Sequence, residues 1–394
     1  MPENLSTAQR TTSIIALNAV STLSQIGQFG LGTTLLPIAL EARHATPELI
    51  GVTSAAFWFG MLGGLLAAGQ LTRSLGYRNT VILGLLVSAI SFVLIPMLEI
   101  QWWLVPSALV GFGLGLRWIA NETWLYRLSP EHSRGRIIGI HETLIAVASV
   151  AGPMIIVALG VSKPSAFWLA AAACMTAIPP IFIASTITSV DETTADTKQS
   201  SKRSIKENLR LSLMFWLGLG GLIAGLGGWI EGSLLALLPV YVSDIGLSSK
   251  DTAWLLTMLG IGAMVCQYPI GWVSDHKGVI YTAKLCATFG MIAMIAVLVG
   301  GHNLSALAIM AFLVGGMSGG LLTLGMVWAT LHSSGSAITD RVRQVSIIYT
   351  TLSALGPMCA GFIVSHTSSA SLFWQQLVVI LVLITVLLIQ PRDK

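Results

Sequence analysis

Gly69-Gln70-Leu71-Thr72-Arg73-Ser74-Leu75-Gly76-Tyr77-Arg78 lies between two long apolar runs, and Gly271-Trp272-Val273-Ser274-Asp275-His276-Lys277-Gly278 lies between two others, 202 residues further on. The register extends without a gap: Gly30, Leu35, Leu36, Pro37 and Gly60 match Gly232, Leu237, Leu238, Pro239 and Gly262 at the same offset. A second block, at an offset of 204, pairs Gly111, Trp124, Gly152 and Pro153 with Gly315, Trp328, Gly356 and Pro357. The chain therefore reads as an internal duplication, with a short polar break at the corresponding place in each half.

The apolar runs set the fold class. The 394-residue chain is 54% hydrophobic and 10% charged, whereas soluble domains carry about 25% charged residues. A water-facing surface cannot be built from that composition, and apolar runs near 20 residues are bilayer crossings. The breaks between runs predict helices near 13–40, 47–71, 79–98, 102–126, 137–160, 165–187, 211–240, 249–273, 281–300, 304–330, 342–364 and 370–390. The first run is too long for a signal-peptide core and reads as an uncleaved helix. One long hydrophilic stretch, 188–210, divides the chain into an N-terminal six-helix bundle over 1–187 and a C-terminal one over 211–394, with a cytoplasmic linker between them.

Charge placement gives an orientation. With both termini cytoplasmic, only Arg43, Lys163 and Lys250 face outward and Arg117 stays inside a helix, so 17 of the 21 Lys and Arg lie inside. That asymmetry follows the positive-inside rule. The net charge of +4 does not indicate nucleic acid, because no Lys/Arg stripe alternates with exposed aromatics. Cys174, Cys266, Cys286 and Cys359 sit in apolar segments without CxxC spacing, and read as small apolar residues, neither disulfides nor metal ligands.

The segment from Gly69 to Arg78 resembles the cytoplasmic motif GxLaDrxGrk of the major facilitator superfamily, and Gly271 to Gly278 resembles its partner in the second half. Gly32-Thr33-Thr34-Leu35-Leu36-Pro37, Asn121-Glu122-Thr123-Trp124-Leu125 with Arg134-Gly135-Arg136, and Gln267-Tyr268-Pro269-Ile270-Gly271-Trp272 are similar to the YcaD-like branch. The resemblance spans nearly the whole chain. It implies an all-α membrane fold of twelve transmembrane helices in two six-helix bundles, working as a monomer by alternating access, with a solute site where the halves meet near mid-bilayer. It also implies a cytoplasmic gate at Gly69, Arg73, Gly76, Arg78, Gly271, Asp275 and Gly278. The first copy departs from the family, carrying Arg73 where an Asp is usual, so Asp275 alone can play the acidic role.

Charges within the hydrocarbon are costly, at least about 2.5–3.5 kcal/mol each on insertion scales, and need a reason. Arg117, Glu122, Glu142 and Glu231 have no ionisable counterpart at the repeat offsets, where Leu321, Met326, Ser346 and Phe29 stand. Arg117, about 15 Å from the inner boundary at 1.5 Å per residue, reads as a receptor for an anionic solute group or coupling carboxylate, or as half of a structural ion pair. Glu122 lies about 140° around the helix from Arg117, which disfavours a simple pair; about 7 Å from the inner boundary and followed by the turn with Arg134 and Arg136, it reads as part of a cytoplasmic gate or a structural network. Glu142 can join that network or exchange protons. Glu231, amid Gly227, Gly228 and Gly232, suits an outer gate, a proton-accessible acid or a water-facing helix end.

Asn18, Gln25 and Gln28 share one face of the first helix and either line a cavity or tie helices together. Trp118, Trp229, Trp254 and Tyr268 read as packing residues or solute platforms, and Trp102 and Trp103 as interfacial anchors. Gly111-Phe112-Gly113-Leu114-Gly115 is not a phosphate loop, and His141-Glu142 is not HExxH. No ATPase, catalytic, cofactor or metal motif is read. The function expected is secondary transport of a small organic solute across a bacterial inner membrane, with proton linkage open because low dielectric disfavours a charged carboxylate. A non-transporting receptor or sensor of the same fold, and a membrane-embedded enzyme, are the rival readings.

Overall fold

The computed structural model describes residues 6–130, 133–159, 164–185, 218–300, 303–331 and 336–390, without the side chains of Arg134, Gly135 and 336–340. The proposed linker 188–210, and the Arg134 side chain, lie outside the described residues. Among the described residues there is no strand. In hydrocarbon every backbone N–H and C=O must be satisfied within the protein, and helices do this segment by segment.

The helices are α1 (Thr7–Glu41), α2 (47–75), α3 (77–94), α4 (Leu104–Leu128), α5 (Arg134–Leu159), α6 (Ser165–Ile181), α7 (Leu219–Asp244), α8 (Ser249–Lys277), α9 (Val279–Gly300), α10 (Leu304–Thr330), α11 (Ser336–His366) and α12 (Ser371–Ile389). Ten helical stretches among the described residues are long and apolar enough to cross a membrane. One of them, Pro47–Met97, contains both α2 and α3, and α6 is a shorter apolar helix. The twelve-helix membrane fold is the one expected. Inside α1 a π-helical turn spans Ile26–Leu31, a local widening often found at functional sites.

The polar breaks differ from the expected loops. α2 and α8 run on through the motif, and a single residue turns the chain in each: Gly76 at φ 81°, ψ 165° and Gly278 at φ 85°, ψ 159°. Nothing from Gln70 to Leu75 breaks a helix, and leaving the apolar phase does not end one. A positive φ with extended ψ does, and that region belongs essentially to glycine. At the end of α6, Pro179 and Pro180 lack amide protons and interrupt the last turns. Trp103 corrects another expectation. Its ring is 1% exposed, packs edge-on against Phe167 at 5.5 Å and donates from Nε1 to Leu98 O at 3.1 Å, so it is core, while Trp102 is 59% exposed.

The chain forms two compact units, Met1–Leu36 with Ala56–Ile155 and Ser162–Ile205, and Pro37–Ala55 with Ile156–Val161 and Lys206–Lys394. The duplication is visible in their internal packing. In the first, a Cβ on Gly60 of α2 would lie 1.9 Å from Ala108 O of α4, and one on Gly111 would lie 1.9 Å from Phe57 O. In the second, a Cβ on Gly262 of α8 would lie 1.9 Å from Phe312 O of α10, and one on Gly315 would lie 1.9 Å from Leu259 O. Each pair of helices crosses backbone to backbone at equivalent residues, as small residues allow in membranes. Gly152 against Gly30, and Gly356 against Trp229, likewise serve the α1–α5 and α7–α11 crossings.

Candidate functional site

A polar network fills the first unit between α1, α3, α4 and α5. Asn18, Ser21, Gln25 and Gln28 recur at helical spacing along α1 and are all buried. Arg117 and Asn121, one turn apart on α4, face them with no exposed surface. Nε of Arg117 donates to Gln28 Oε1 at 3.0 Å and Nη2 donates to Gln25 Oε1 at 2.7 Å. Gln28 Nε2 donates to Ser88 Oγ of α3 at 2.7 Å, and Ser88 Oγ donates to Val110 O of α4 at 3.1 Å. Gln25 Nε2 donates to Ser149 Oγ of α5 at 3.2 Å. The chain of donors fixes both amide orientations, because a flipped glutamine would turn its NH2 toward the guanidinium.

This arrangement decides part of the sequence reading of Arg117. Its hydrogen bonds go to two neutral amides, with no carboxylate among its hydrogen-bond partners. A guanidinium can be solvated in this way by charge-assisted bonds, and Gln28 sits within the π-helical turn. Arg117, Gln25 and Gln28 are thus brought together. Glu122 accepts from the Trp118 indole N–H one turn back and is half-buried. Glu142 is exposed.

The sequence reading grouped Asn18 with Gln25 and Gln28 but did not single out Ser21, Asn121 or His141 as members of the seam. Asn121 Nδ2 donates to Leu17 O at 3.1 Å and Ser21 Oγ at 2.7 Å, and His141 Nδ1 pairs with Asn18 Oδ1 at 2.9 Å. The signal was present in the spacing of Arg117 and Asn121 on α4, and of His141 and Ser149 on α5, both helical repeats. The second unit lacks this chemistry. At the repeat offsets Gln25, Gln28, Arg117, Asn121 and His141 become Gly227, Ile230, Leu321, Gly325 and Val345, and Val345 lies in an apolar cluster with Ala224 and Ile348. That unit holds Glu231 instead, half-buried on α7, where it accepts from the Tyr349 hydroxyl of α11.

The residues of the expected gate are scattered in their contacts. Arg78 Nη2 donates to Ala184 O at 3.0 Å and its guanidinium lies 5.7 Å from the Phe182 ring centre, tying α3 to the end of α6. Arg73, Arg136 and Asp275 are exposed and make no hydrogen bond or ion pair among the described residues. A Cβ at Gly69 or Gly271 would meet nothing within 4 Å, so close helix approach is not what places glycine there. Among the described residues no group of His, Cys, Asp and Glu could hold a metal ion, and the four cysteines are free.

The family model described as Major Facilitator Superfamily matches residues 17–297 and 217–394. The MFS-type transporter YcaD of Escherichia fergusonii, itself uncharacterized, is 24% identical over 341 residues, covering 86% of each chain. The crystal structure of the nucleoside transporter NupG superposes with a TM-score of 0.75 at 12% identity, over 95% of this chain and 98% of that one. The D-xylose–proton symporter gives 0.71 at 15% identity, over 95% and 97%. At these identities the two structures speak for the fold alone. The fold, the duplicated crossings and the family match together identify this chain as a multi-pass membrane protein belonging to the major facilitator superfamily of transporters.

Proposed function

We propose that the protein is a secondary active carrier of a small organic solute, working by alternating access as a monomer in the plasma membrane of a bacterium, with both termini cytoplasmic. The two six-helix bundles are taken as 1–187 and 211–394, joined by 188–210. The observation that carries the reading is the asymmetry of the duplication. A shared scaffold is kept in both repeats, while one repeat alone replaces apolar positions by the Arg117, Gln25 and Gln28 network. Intramembrane charge is retained where it serves transport or sensing. Glu142, exposed on α5, and Glu231, held by Tyr349, are the groups that would carry proton coupling. Gly76 and Gly278 set the turns of the cytoplasmic motif, and Arg73, Arg78, Glu122, Arg134, Arg136 and Asp275 are the charged members of the proposed cytoplasmic gate.

Named substrates of the relatives, a nucleoside and D-xylose, define the first compounds to try. The test is a thermal-shift screen of purified protein against nucleosides, sugars, amino acids, vitamins and drugs, followed by uptake of each hit into proteoliposomes with and without a pH gradient. Gradient-dependent accumulation that is lost in Glu142→Gln or Glu231→Gln supports the coupled carrier. Flux indifferent to the gradient in both directions removes the proton from the proposal.

A further inference from the structure

Three polar atoms in the α1–α4–α5 seam have no hydrogen-bonding partner among the described residues: Arg117 Nη1, Asn121 Oδ1 and His141 Nε2. All three side chains are fully buried. Their donor and acceptor roles are fixed by what the other end of each side chain does. Asn121 uses its Nδ2 on Leu17 O, which can only accept, so the free atom is the carbonyl oxygen. Asn18 uses its Nδ2 on Ile14 O at 2.8 Å, so its Oδ1 faces His141, and His141 Nδ1 must be the donor. In the neutral imidazole the proton is then on Nδ1, and Nε2 presents a lone pair.

All three side chains also dock on α1, Arg117 at Gln25 and Gln28, Asn121 at Leu17 and Ser21, and His141 at Asn18. Arg117 and Asn121 are adjacent on the same face of α4. Asn121 binds Leu17 and Ser21 while His141 binds Asn18, so both dock on the same turn of α1. A cationic donor beside two acceptors calls for an occupant that accepts once and donates twice. An inorganic anion can satisfy Nη1 but is repelled by Oδ1 and the Nε2 lone pair, whereas water matches all three.

We propose that Arg117 Nη1, Asn121 Oδ1 and His141 Nε2 enclose a hydration site, in which bound water accepts from the guanidinium and donates to the amide oxygen and the imidazole. The site makes His141 a base in contact with water inside the first unit. It also explains why three fully buried side chains, Arg117, Asn121 and His141, each tolerate an unsatisfied polar atom, since buried polar groups in native proteins are otherwise partnered.

The test is a structure of the full-length protein in lipid nanodiscs at a resolution that shows ordered water, solved again after exchange into bromide. The expected result is water within hydrogen-bonding distance of each of the three atoms and no bromide there. Bromide in the site, direct pairing of the three atoms, or a dry gap overturns the proposal. A second measurement does not depend on resolution: nitrogen-15 histidine NMR, with the His141 signal assigned among the seven histidines by its loss in His141→Gln. Protonation at Nδ1 with an unprotonated, hydrogen-bonded Nε2 is expected. A ring protonated at Nε2, whether neutral or as the imidazolium, removes the acceptor on which the site depends.

Discussion

Arg117 Nη2 donates to Gln25 Oε1 at 2.7 Å, and the same glutamine reaches onward to Ser149, so one guanidinium on α4 orients α1 and α5 together. Through Nε and Gln28 it also reaches Ser88 on α3. The cation of the first unit is thus engaged on one side by amides of its own bundle. A solute group would have to approach it from the Nη1 side.

Replacing Arg117 by Met should leave the two glutamine carbonyls buried without a donor. Each costs about 1–3 kcal/mol when orphaned, so unfolding in detergent, followed by tryptophan fluorescence, should shift to clearly lower temperature. Arg117→Lys should recover only part of the loss, because a single ammonium lacks the planar fork that serves both acceptors. Full rescue by lysine would show that charge alone matters and that the bidentate geometry does not.

Gly60→Ala and Gly262→Ala should behave alike, since each introduces a Cβ 1.9 Å from a carbonyl oxygen on the crossing helix. Overpacking of this kind costs about 1–3 kcal/mol. Gly69→Ala and Gly271→Ala, with nothing within 4 Å of the new Cβ, should leave the thermal midpoint nearly unchanged. Equal losses at all four positions would argue that the motif glycines pack closely after all.

Gly76→Ala and Gly278→Ala should each destabilise by about 1–3 kcal/mol through backbone strain, because alanine rarely adopts positive φ with extended ψ. The readout is again the thermal midpoint, compared with Gly69→Ala as an internal control. No penalty at Gly76 would mean that the chain turns by another route.

Glu231→Gln, Tyr349→Phe and the double variant form a cycle that measures the α7–α11 hydrogen bond. A coupling of about 0.5–3 kcal/mol is expected, the upper part of that range applying if the carboxylate is charged. Additive effects of the two changes would show that the contact contributes nothing.

Much of the fold could be read from the chain because the bilayer leaves few alternatives. Long apolar runs must be helices, and the recurrence of Gly30, Gly60 and Gly76 at Gly232, Gly262 and Gly278 reports crossings and turns that tolerate no side chain. The turn itself was misjudged: hydropathy marks where a helix leaves the apolar phase, not where it ends, so α2 and α8 continue to the residue before glycine. Trp103 was misplaced for a similar reason, since an aromatic at a helix start fits the interfacial belt equally well until Phe167 is seen packed on it. At the site, helical spacing grouped Gln25 with Gln28, but their partner Arg117 lies 89 residues beyond Gln28, and no local pattern links the two. His141 was passed over because it was tested only as half of a metal motif. Its partner Asn18 is 123 residues away.

Carrier activity itself is tested most directly by counterflow: proteoliposomes preloaded with an unlabelled screening hit, diluted into a trace of the same compound in labelled form. A carrier that alternates access predicts a transient overshoot of internal label above equilibrium, absent from protein-free vesicles. Saturable binding of the compound to sealed, loaded vesicles with no overshoot in either orientation would contradict transport and favour a receptor built on the same fold.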